Sequence, residues 1–488
     1  VTDTQRAPEE ATFIEGPLYV SAKKIYPQRV HGFYRQLKWA ILAFCLVVYY
    51  FLPFVRWDRG PNLPNQAVLA DLQNRRFYFF FIEIWPQEVY YFTGLLIIAA
   101  MVLFLMNSIA GRVWCGYLCW QTVWTDLFMA VERHFQGDRR ERIKLDAEPW
   151  HTQKIIKKGM THLVWLLIAW WTGGAWVLYF ADAPTLVNDL IHFRAPFTAY
   201  MWIAILTFTT YVFAGIMREQ TCLYVCPWPR IQAALTDEDA LNVTYKYDRG
   251  EPRMSLKDAR KATAVGQPAG DCVDCQQCVN VCPTGVDIRH GSQLGCIQCG
   301  LCIDACDTVM EKIGRPKRLI GYDTDIAVRA RMNGDEHPTY RFFRARTYIY
   351  FAMISVVGGL MVYQLATRST TGVSAIHDRQ PLFTTLADGA IRNAYTIRVL
   401  NKRPETRDFE ISVEGLPNAT VEIVGIQDAA ASRPIVEVGP DQTREVRMIV
   451  SAPRSSLTGN STPITVRAAD LLIGEAAVTK DHFFGPGK

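Results

Sequence analysis

Five runs of this 488-residue chain are long and predominantly apolar: 37–55, 89–110, 161–181, 198–217 and 346–365. Each is near the roughly 20 residues that a helix needs to cross a bilayer. Inside lipid only helices and closed barrels satisfy their own backbone polar groups. The runs therefore predict a transmembrane bundle of about five helices, with the lipid bilayer as a partner. Trp39, Trp85, Tyr90 and Tyr91 lie near run ends, where interfacial aromatics sit. Half the residues are hydrophobic, yet the mean hydropathy is close to zero, so water-facing domains must balance the helices. A net charge of +5 is modest and gives no ground for a nucleic-acid partner. The first ~35 residues are polar and basic without an apolar core, so no cleavable signal peptide is expected.

Lys and Arg set the orientation. They are dense before the first run, between the second and third, and between the fourth and fifth, where RPKR (315–318) and RFFRAR (341–346) occur. Arg194 stands alone between runs three and four. The positive-inside rule then places the N-terminus in the cytoplasm of a bacterial inner membrane, and five crossings place the tail outside. On this pattern the chain divides into a cytoplasmic segment (1–36), a four-helix membrane domain with two C-x3-C pairs (37–236) and a linker (237–271). A ferredoxin-type core (272–306), a basic connector (307–345), a fifth transmembrane helix (346–365) and a tail (370–488) follow. In the tail, Tyr395, Ile397 and Val399 alternate with polar residues, as do Phe409, Ile411 and Val413, and Val446, Met448 and Val450 recur at the same period. GLPN, VGPDQ and LTGN lie between such runs. Short strands at this spacing predict a β-sandwich.

The 13 cysteines are grouped: eight between 272 and 306, two C-x3-C pairs, Cys45 alone, and none after 306. A disulfide framework would be spread through a small domain, so this is metal-ligand usage. The block CVDCQQCVNVCPTGVDIRHGSQLGCIQCGLCIDAC repeats C-x2-C-x2-C-x3-C twice. In that arrangement three thiolates of one loop hold a [4Fe–4S] cluster, and the fourth cysteine ligates the other cluster. The spacing assigns Cys272, Cys275, Cys278 and Cys306 to one cluster, and Cys296, Cys299, Cys302 and Cys282 to the other. Zinc is the competing reading for paired CxxC motifs, and the doubled spacing with Pro283 after the fourth cysteine disfavours it. Asp307 replaces proline after the eighth. One-electron transfer follows, without an acceptor.

The pairs Cys115/Cys119 and Cys222/Cys226 each follow an inward-running helix, so all four thiols are expected at the cytoplasmic face. Residues four apart share a helical face, and two facing pairs would make a four-sulfur site. Soft thiolates suit copper(I), an iron–sulfur cluster or zinc; a redox dithiol pair is a further reading, and inert buried cysteine the bland one. Arg112, Arg218 and Arg230 are expected to lower the thiol pKa values. Cys45 has no partner at useful spacing. His134, His151, His162 and His192 are read as exposed or packing residues. No haem or flavin site is recognised. Glu83 and Glu88, beside WPQ, are either interfacial anchors or part of a site.

FIEIWPQEVYYFTG, GRVWCGYLCWQTVWTDLFMAVER, CLYVCPWPRIQ, RGEPR, the doubled ferredoxin motif and GRPKRLIGYDT, in this order and ahead of a terminal sandwich, resemble the cytochrome c oxidase accessory proteins of the CcoG/FixG/RdxA type. The likeness covers nearly the whole chain. It implies an immunoglobulin-like tail and reduction of copper(II) to copper(I) for assembly of cbb3-type oxidases. It also implies a cytoplasmic electron donor and copper-delivery or oxidase-assembly partners; a homo-oligomer stays open. The family pattern C-x3-C-P is kept at Cys226–Pro227, but Trp120 follows Cys119, which puts the geometry of the first pair in question. Two other functions compete: an electron-transfer subunit of the NapH or NosR type, and a non-enzymatic assembly scaffold. The terminal sandwich argues against NapH, and the lack of an N-terminal flavin-binding domain against NosR.

Overall fold

A computed structural model describes residues 24–60, 63–336, 340–426 and 433–486. The expected N-terminal segment thus lies outside the described residues as far as residue 23. The chain forms two compact units: one from residues up to 52, 96–178 and 189–354, the other from 53–95, 179–188 and 355 onwards.

The first unit holds α1 (Phe33–Phe51), most of α2 (Tyr90–Ala110), α3 (Val113–Tyr117), α4 (Trp120–Gln136), α5 (Arg139–Ala147) and α6 (Thr152–Val177). After α7 (Ala183–Ile191), which begins in the second unit, come α8 (Phe197–Thr210) and α9 (Trp228–Leu235). Among the described residues, four helical segments are long and apolar enough to cross a membrane: Phe33–Phe54, Tyr90–Ala110, Phe197–Met217 and Ala345–Ala366. The run expected at 161–181 falls outside this set. It lies on α6, which ends at Val177, and Thr161, His162, Thr172 and four tryptophans dilute its hydropathy. Phe128 of α4 stacks on Trp165 of α6 with ring centroids 5.4 Å apart, within a core that also takes Leu42, Val123, Trp124, Ala169 and Ala214.

The polar part of this unit is built on β4 (Asn242–Tyr245), paired antiparallel with β5 (Ile320–Asp323). Around it lie α10 (Tyr247–Gly250), α11 (Leu256–Ala264), α12 (Gln277–Asn280), α13 (Leu301–Lys312) and α14 (Asp325–Asn333). Ser255 and Thr324 cap α11 and α14, each accepting from a backbone N–H three residues on. Tyr245, Ile303, Met310, Leu319 and Ile320 form the core against which Cys272, Cys278 and Cys306 pack. The last helix, α15 (Ala345–Ala366), starts in this unit and continues into the other.

The second unit begins with a three-stranded meander, β1 (Val68–Asp71), β2 (Arg76–Phe79) and β3 (Ile82–Ile84). Its larger part is the expected sandwich. One sheet takes β6 (Thr371–His377), β7 (Thr384–Thr385), β8 (Ile391–Asn401), β10 (Thr420–Ile423) and β12 (Gln442–Ala452). The other takes β9 (Arg407–Glu414), β11 (Ile435–Val438), β13 (Ser461–Asp470) and β14 (Ala476–Phe484). Along β8 every second residue from Ile391 to Asn401 is buried, as a half-buried antiparallel strand requires. Tyr395, Ile397 and Val399 meet Phe409, Ile411 and Val466 of the other sheet in one core.

Candidate metal centre

The two ferredoxin loops have the same backbone. Asp274 and Gln276, on either side of Cys275, are left-handed at φ 50° and 54°; Gln298 and Gly300, on either side of Cys299, are left-handed at 56° and 73°. Such paired reversals curl each short loop so that its thiols turn inward. At Gly300 a Cβ would stand 2.7 Å from the Tyr34 ring, so the close approach of α1 as well as the backbone requires glycine there. The thiols fall into two neighbourhoods. Cys306 lies within electrostatic reach of Cys278, Cys275 and Cys272, and Cys302 within that of Cys299, Cys296 and Cys282, with Cys278 of the first neighbourhood also in its reach. The donor chemistry of the eight thiols fits two [4Fe–4S] clusters.

The membrane-face pairs also repeat one geometry. Each first cysteine sits on a short helical turn: Cys115 on α3, and Cys222 on a π-helical turn from Thr221 to Val225. In each, the backbone N–H of the second cysteine donates to the carbonyl five residues back, Cys119 to Trp114 at 2.9 Å and Cys226 to Thr221 at 2.8 Å. Each second cysteine is extended (Cys119 φ −61°, ψ 129°; Cys226 φ −78°, ψ 122°) and a helix follows at once, α4 or α9. The expectation that each pair shares one helical face is therefore corrected: the second thiol of each lies beyond its turn. Trp120 does not put the first pair out of line. Trp120 is the first residue of α4 and Pro227 the N-cap of α9, and neither position needs an intrahelical N–H.

All four thiols converge. Cys115 feels Cys119, Cys222 and Cys226, and Cys222 feels Cys119 and Cys226. The quartet also abuts the second ferredoxin loop. Cys115 packs in one apolar core with Cys299, Cys302, Ile297 and Leu301. The Tyr117 hydroxyl donates to the Cys299 carbonyl at 2.9 Å. Gly116 explains how two backbones come so close: a Cβ there would stand 2.7 Å from the Ile297 carbonyl oxygen and 3.1 Å from the Cys299 Cα.

Charge reverses one expectation. Burial pushes the Cys115 thiol up to about 12; Cys119 adds to the shift and Arg112 opposes it. Burial likewise raises Cys222 to about 12, and Cys119 upward. Two of the three arginines expected to lower these values, Arg112 and Arg218, are engaged elsewhere. Arg112 donates to the carbonyls of Leu294, Cys296 and Pro229 and so ties α3 to the ferredoxin loop and α9. Arg218 donates to Glu132 at 2.9 Å and faces Trp165. Glu132 is itself buried and bonded to Arg142 at 3.1 Å, so this triad fixes where the second cysteine pair begins. Thiols of this kind become thiolates when a metal displaces their protons.

Three buried donors around the quartet have no partner among the described residues: Thr221 Oγ1, Trp228 Nε1 and Gln232 Nε2. The other end of Gln232 accepts from the Cys115 thiol at 3.1 Å. Buried donors without acceptors are costly, and a cluster with inorganic sulfides would supply acceptors. Among the described residues, no three Cys, His, Asp or Glu side chains are grouped to hold a single metal ion. Four soft thiols with orphaned donors beside them suit an iron–sulfur cluster or a soft metal ion.

Other candidates resolve as packing. His162 bonds the Tyr211 hydroxyl at 2.8 Å and sits edge-on to Trp165. His151 bonds the Pro149 carbonyl, and His134 is exposed. Cys45 lies on α1, half-buried. Glu83 and Glu88 belong to the second unit. Glu83 pairs with Arg76 at 3.4 Å, and Glu88 with Lys402 at 2.7 Å, so both act as buried ion-pair partners of that unit. Gln232, Glu132 and Gly116 went unnoticed in the sequence. Only Gly116, inside C-G-Y-L-C, carried a local sign, since glycine in a short helical turn is disfavoured unless space demands it.

Family models match three parts of the chain: a 4Fe-4S dicluster domain at 217–325, a 4Fe-4S binding domain at 92–137, and the IG-like fold at the C-terminus of FixG, putative oxidoreductase, at 361–486. The first two models between them take in all four quartet cysteines. The nitrogen fixation protein FixG of Rhizobium meliloti is 45% identical over 502 residues, covering 98% of this chain and 95% of that one. Protein RdxB of Cereibacter sphaeroides is 47% identical (96% and 98% covered) and protein RdxA of the same organism 48% (93% and 95%). With its apolar spans, iron–sulfur domains and Ig-like tail, the chain is an iron–sulfur electron-transfer membrane protein, and it belongs to the FixG/RdxA family.

Proposed function

We propose that the protein reduces copper(II) to copper(I), with the Cys115/Cys119/Cys222/Cys226 quartet as the electron outlet. The observation that carries this is the shared apolar core of Cys115 with Cys299 and Cys302, which puts the quartet against the second ferredoxin loop. Cys272, Cys275, Cys278 and Cys306 would hold one [4Fe–4S] cluster, Cys282, Cys296, Cys299 and Cys302 the second, and the quartet a third. Clusters, when bound, supply one-electron transfer. The chain's own residues set the path. Gly116 keeps the two backbones in contact, Arg112 locks α3 to the loop, and the Glu132 triad anchors the second pair. Val225 and Pro227, exposed beside Cys226, leave one side of the quartet open to a metal substrate. Each copper(II) takes one electron, and soft sulfur favours the cuprous product. In the membrane the ferredoxin block would face the cytoplasm and the sandwich the periplasm, with oxidase-assembly factors as recipients of the copper.

The test uses holoprotein reduced with dithionite and freed of excess reductant. Copper(II) is added with a copper(I)-specific chromogenic chelator. Copper(I) should form while the ferredoxin absorbance recovers. Replacing Cys115, Cys119, Cys222 and Cys226 by Ala should abolish copper(I) formation and leave the ferredoxin absorbance. Undiminished copper(I) in that variant rules the outlet out.

A further inference from the structure

A cavity of about 520 Å³ lies between α1, α4 and the ferredoxin block, separate from the quartet. That volume is in the range of sites for drug-sized ligands, roughly 300–1,000 Å³. It opens where the polar segment 27–32 meets the apolar span that begins at Phe33. Gln36 and Trp39, exposed on the first turns of α1, line it on that side. One wall is made of Val281, Pro283 and Leu301. These residues adjoin Cys282 and Cys302 in the chain, so whatever fills the cavity lies beside ligands assigned to the second cluster. Met129 of α4, buried, gives an apolar surface.

The polar lining is mixed in sign. Arg35 and Asp126 are bonded to each other, with the Asp126 carboxylate also 3.8 Å from Lys38. Asp138 accepts from the Arg29 backbone and caps α5. Arg133 lines the cavity; its side chain makes no direct hydrogen bond or ion pair with a described residue and feels the Asp126 and Asp138 carboxylates only at longer range. Two imidazoles, His31 and His134, stand at the rim, both exposed. A polyanion would meet Asp126 and Asp138 as well as the arginines. A neutral aromatic ligand with hydroxyl ends suits this lining better: ring against Met129, Val281 and Leu301, oxygen on the Arg133 guanidinium, protons toward histidine.

We propose that this cavity binds a membrane quinol and passes its electrons to the ferredoxin block. The proposal rests on the electron-transfer part of the reading above and names its donor. Oxidation breaks both O–H bonds of the quinol. Two protons go to His31 and His134 and from there to water, two electrons enter the ferredoxin block one at a time, and quinone leaves. Two copper(II) ions are reduced per quinol. A second recess, lined by Tyr49, Trp120, Trp124, Trp176 and Phe213, is apolar and aromatic and holds no histidine or carboxylate to take protons.

Oxidised holoprotein in detergent is mixed with duroquinol, and bleaching of the iron–sulfur absorbance is followed. In parallel, an azido-quinone is photocrosslinked and the adduct located by mass spectrometry. Bleaching should occur, and the adduct should fall within 27–39 or 126–138. Arg133→Met should slow bleaching and weaken crosslinking at least tenfold, and Ala130→Trp, which fills the cavity, should do the same in monodisperse protein. Absence of bleaching overturns the proposal, as does an adduct within 206–214 only, or a tightly held phospholipid that blocks crosslinking and leaves bleaching unchanged. Copper(I) formation by dithionite-reduced protein needs no quinol, so a failure here leaves the copper reading standing, and a failure there leaves this one.

Discussion

Replacing Gly116 by Val tests the contact between quartet and ferredoxin block most directly. A Cβ at this position meets the Ile297 carbonyl oxygen at 2.7 Å and the Cys299 Cα and N at 3.1 and 3.2 Å. All three are backbone atoms, which cannot rotate away, so α3 or the loop must shift by several tenths of an ångström. Overpacking of this kind costs about 1–3 kcal/mol, and a β-branched residue returns only part of the ~1 kcal/mol helical handicap of glycine. At about 2–4 °C per kcal/mol, the first unfolding transition should fall by a few degrees. Gly159→Ala on α6 is the control: a Cβ there meets nothing within 4 Å, so the change should be neutral or stabilising by about 0.5–1 kcal/mol. The functional assay is copper(I) formation by dithionite-reduced holoprotein. Gly116→Val should retain the ferredoxin absorbance and lose most of the copper(I) rate. An unchanged unfolding midpoint together with an unchanged rate would show that the two backbones are not in functional contact.

Three further outcomes follow from the same structure. Glu132→Ala leaves Arg142 and Arg218 as unpaired buried cations, which should destabilise the first unit by roughly 3–5 kcal/mol and loosen the second cysteine pair; thermal unfolding with iron content reads both. Iron analysis should give about twelve atoms per chain for three [4Fe–4S] clusters, and about eight when the quartet is replaced by Ala; eight in the wild type would exclude a cluster at the quartet. Burial alone would raise the Asp146 carboxyl, but hydrogen bonds from Lys158, Lys24 and Tyr26 outweigh it and hold it well below the usual range. Its stabilising effect should be complete above the unfolded value near pH ~4 and be lost as pH falls through the lower folded value. The difference in unfolding midpoint between wild type and Asp146→Asn should be flat from neutral pH to that point and shrink below it.

Much of the architecture is written in local pattern. Apolar runs of bilayer length declare helices, period-two alternation from Tyr395 to Val399 declares a strand, and the doubled cysteine spacing declares cluster loops. These signals are legible because each depends on the geometry of a few consecutive residues. The span expected at 161–181 is less clear for the same reason: tryptophans and threonines that suit a packed helix also lower its hydropathy. The thiol pairs show the limit. Their spacing of four suggested a shared helical face, yet both second cysteines are extended, because a hydrogen bond five residues back ends each turn.

Chemistry that depends on surroundings was decided by the tertiary structure alone. Arg112, Arg218 and Arg230 beside the cysteines suggested lowered thiol pKa values, but burial raises Cys115, and Arg112 and Arg218 are spent on carbonyls and on Glu132. Gln232 reaches Cys115 across 117 residues, and Glu132 anchors Arg218 from a different helix. No spacing rule announces such partners, because desolvation and long-range pairing depend on what the fold brings near. By itself the sequence determined which thiols exist, how they are spaced along the chain, and which segments are long and apolar enough to be candidate spans. Only the tertiary structure set the quartet against the ferredoxin loop, since that contact is made by backbones 180 residues apart meeting over a glycine.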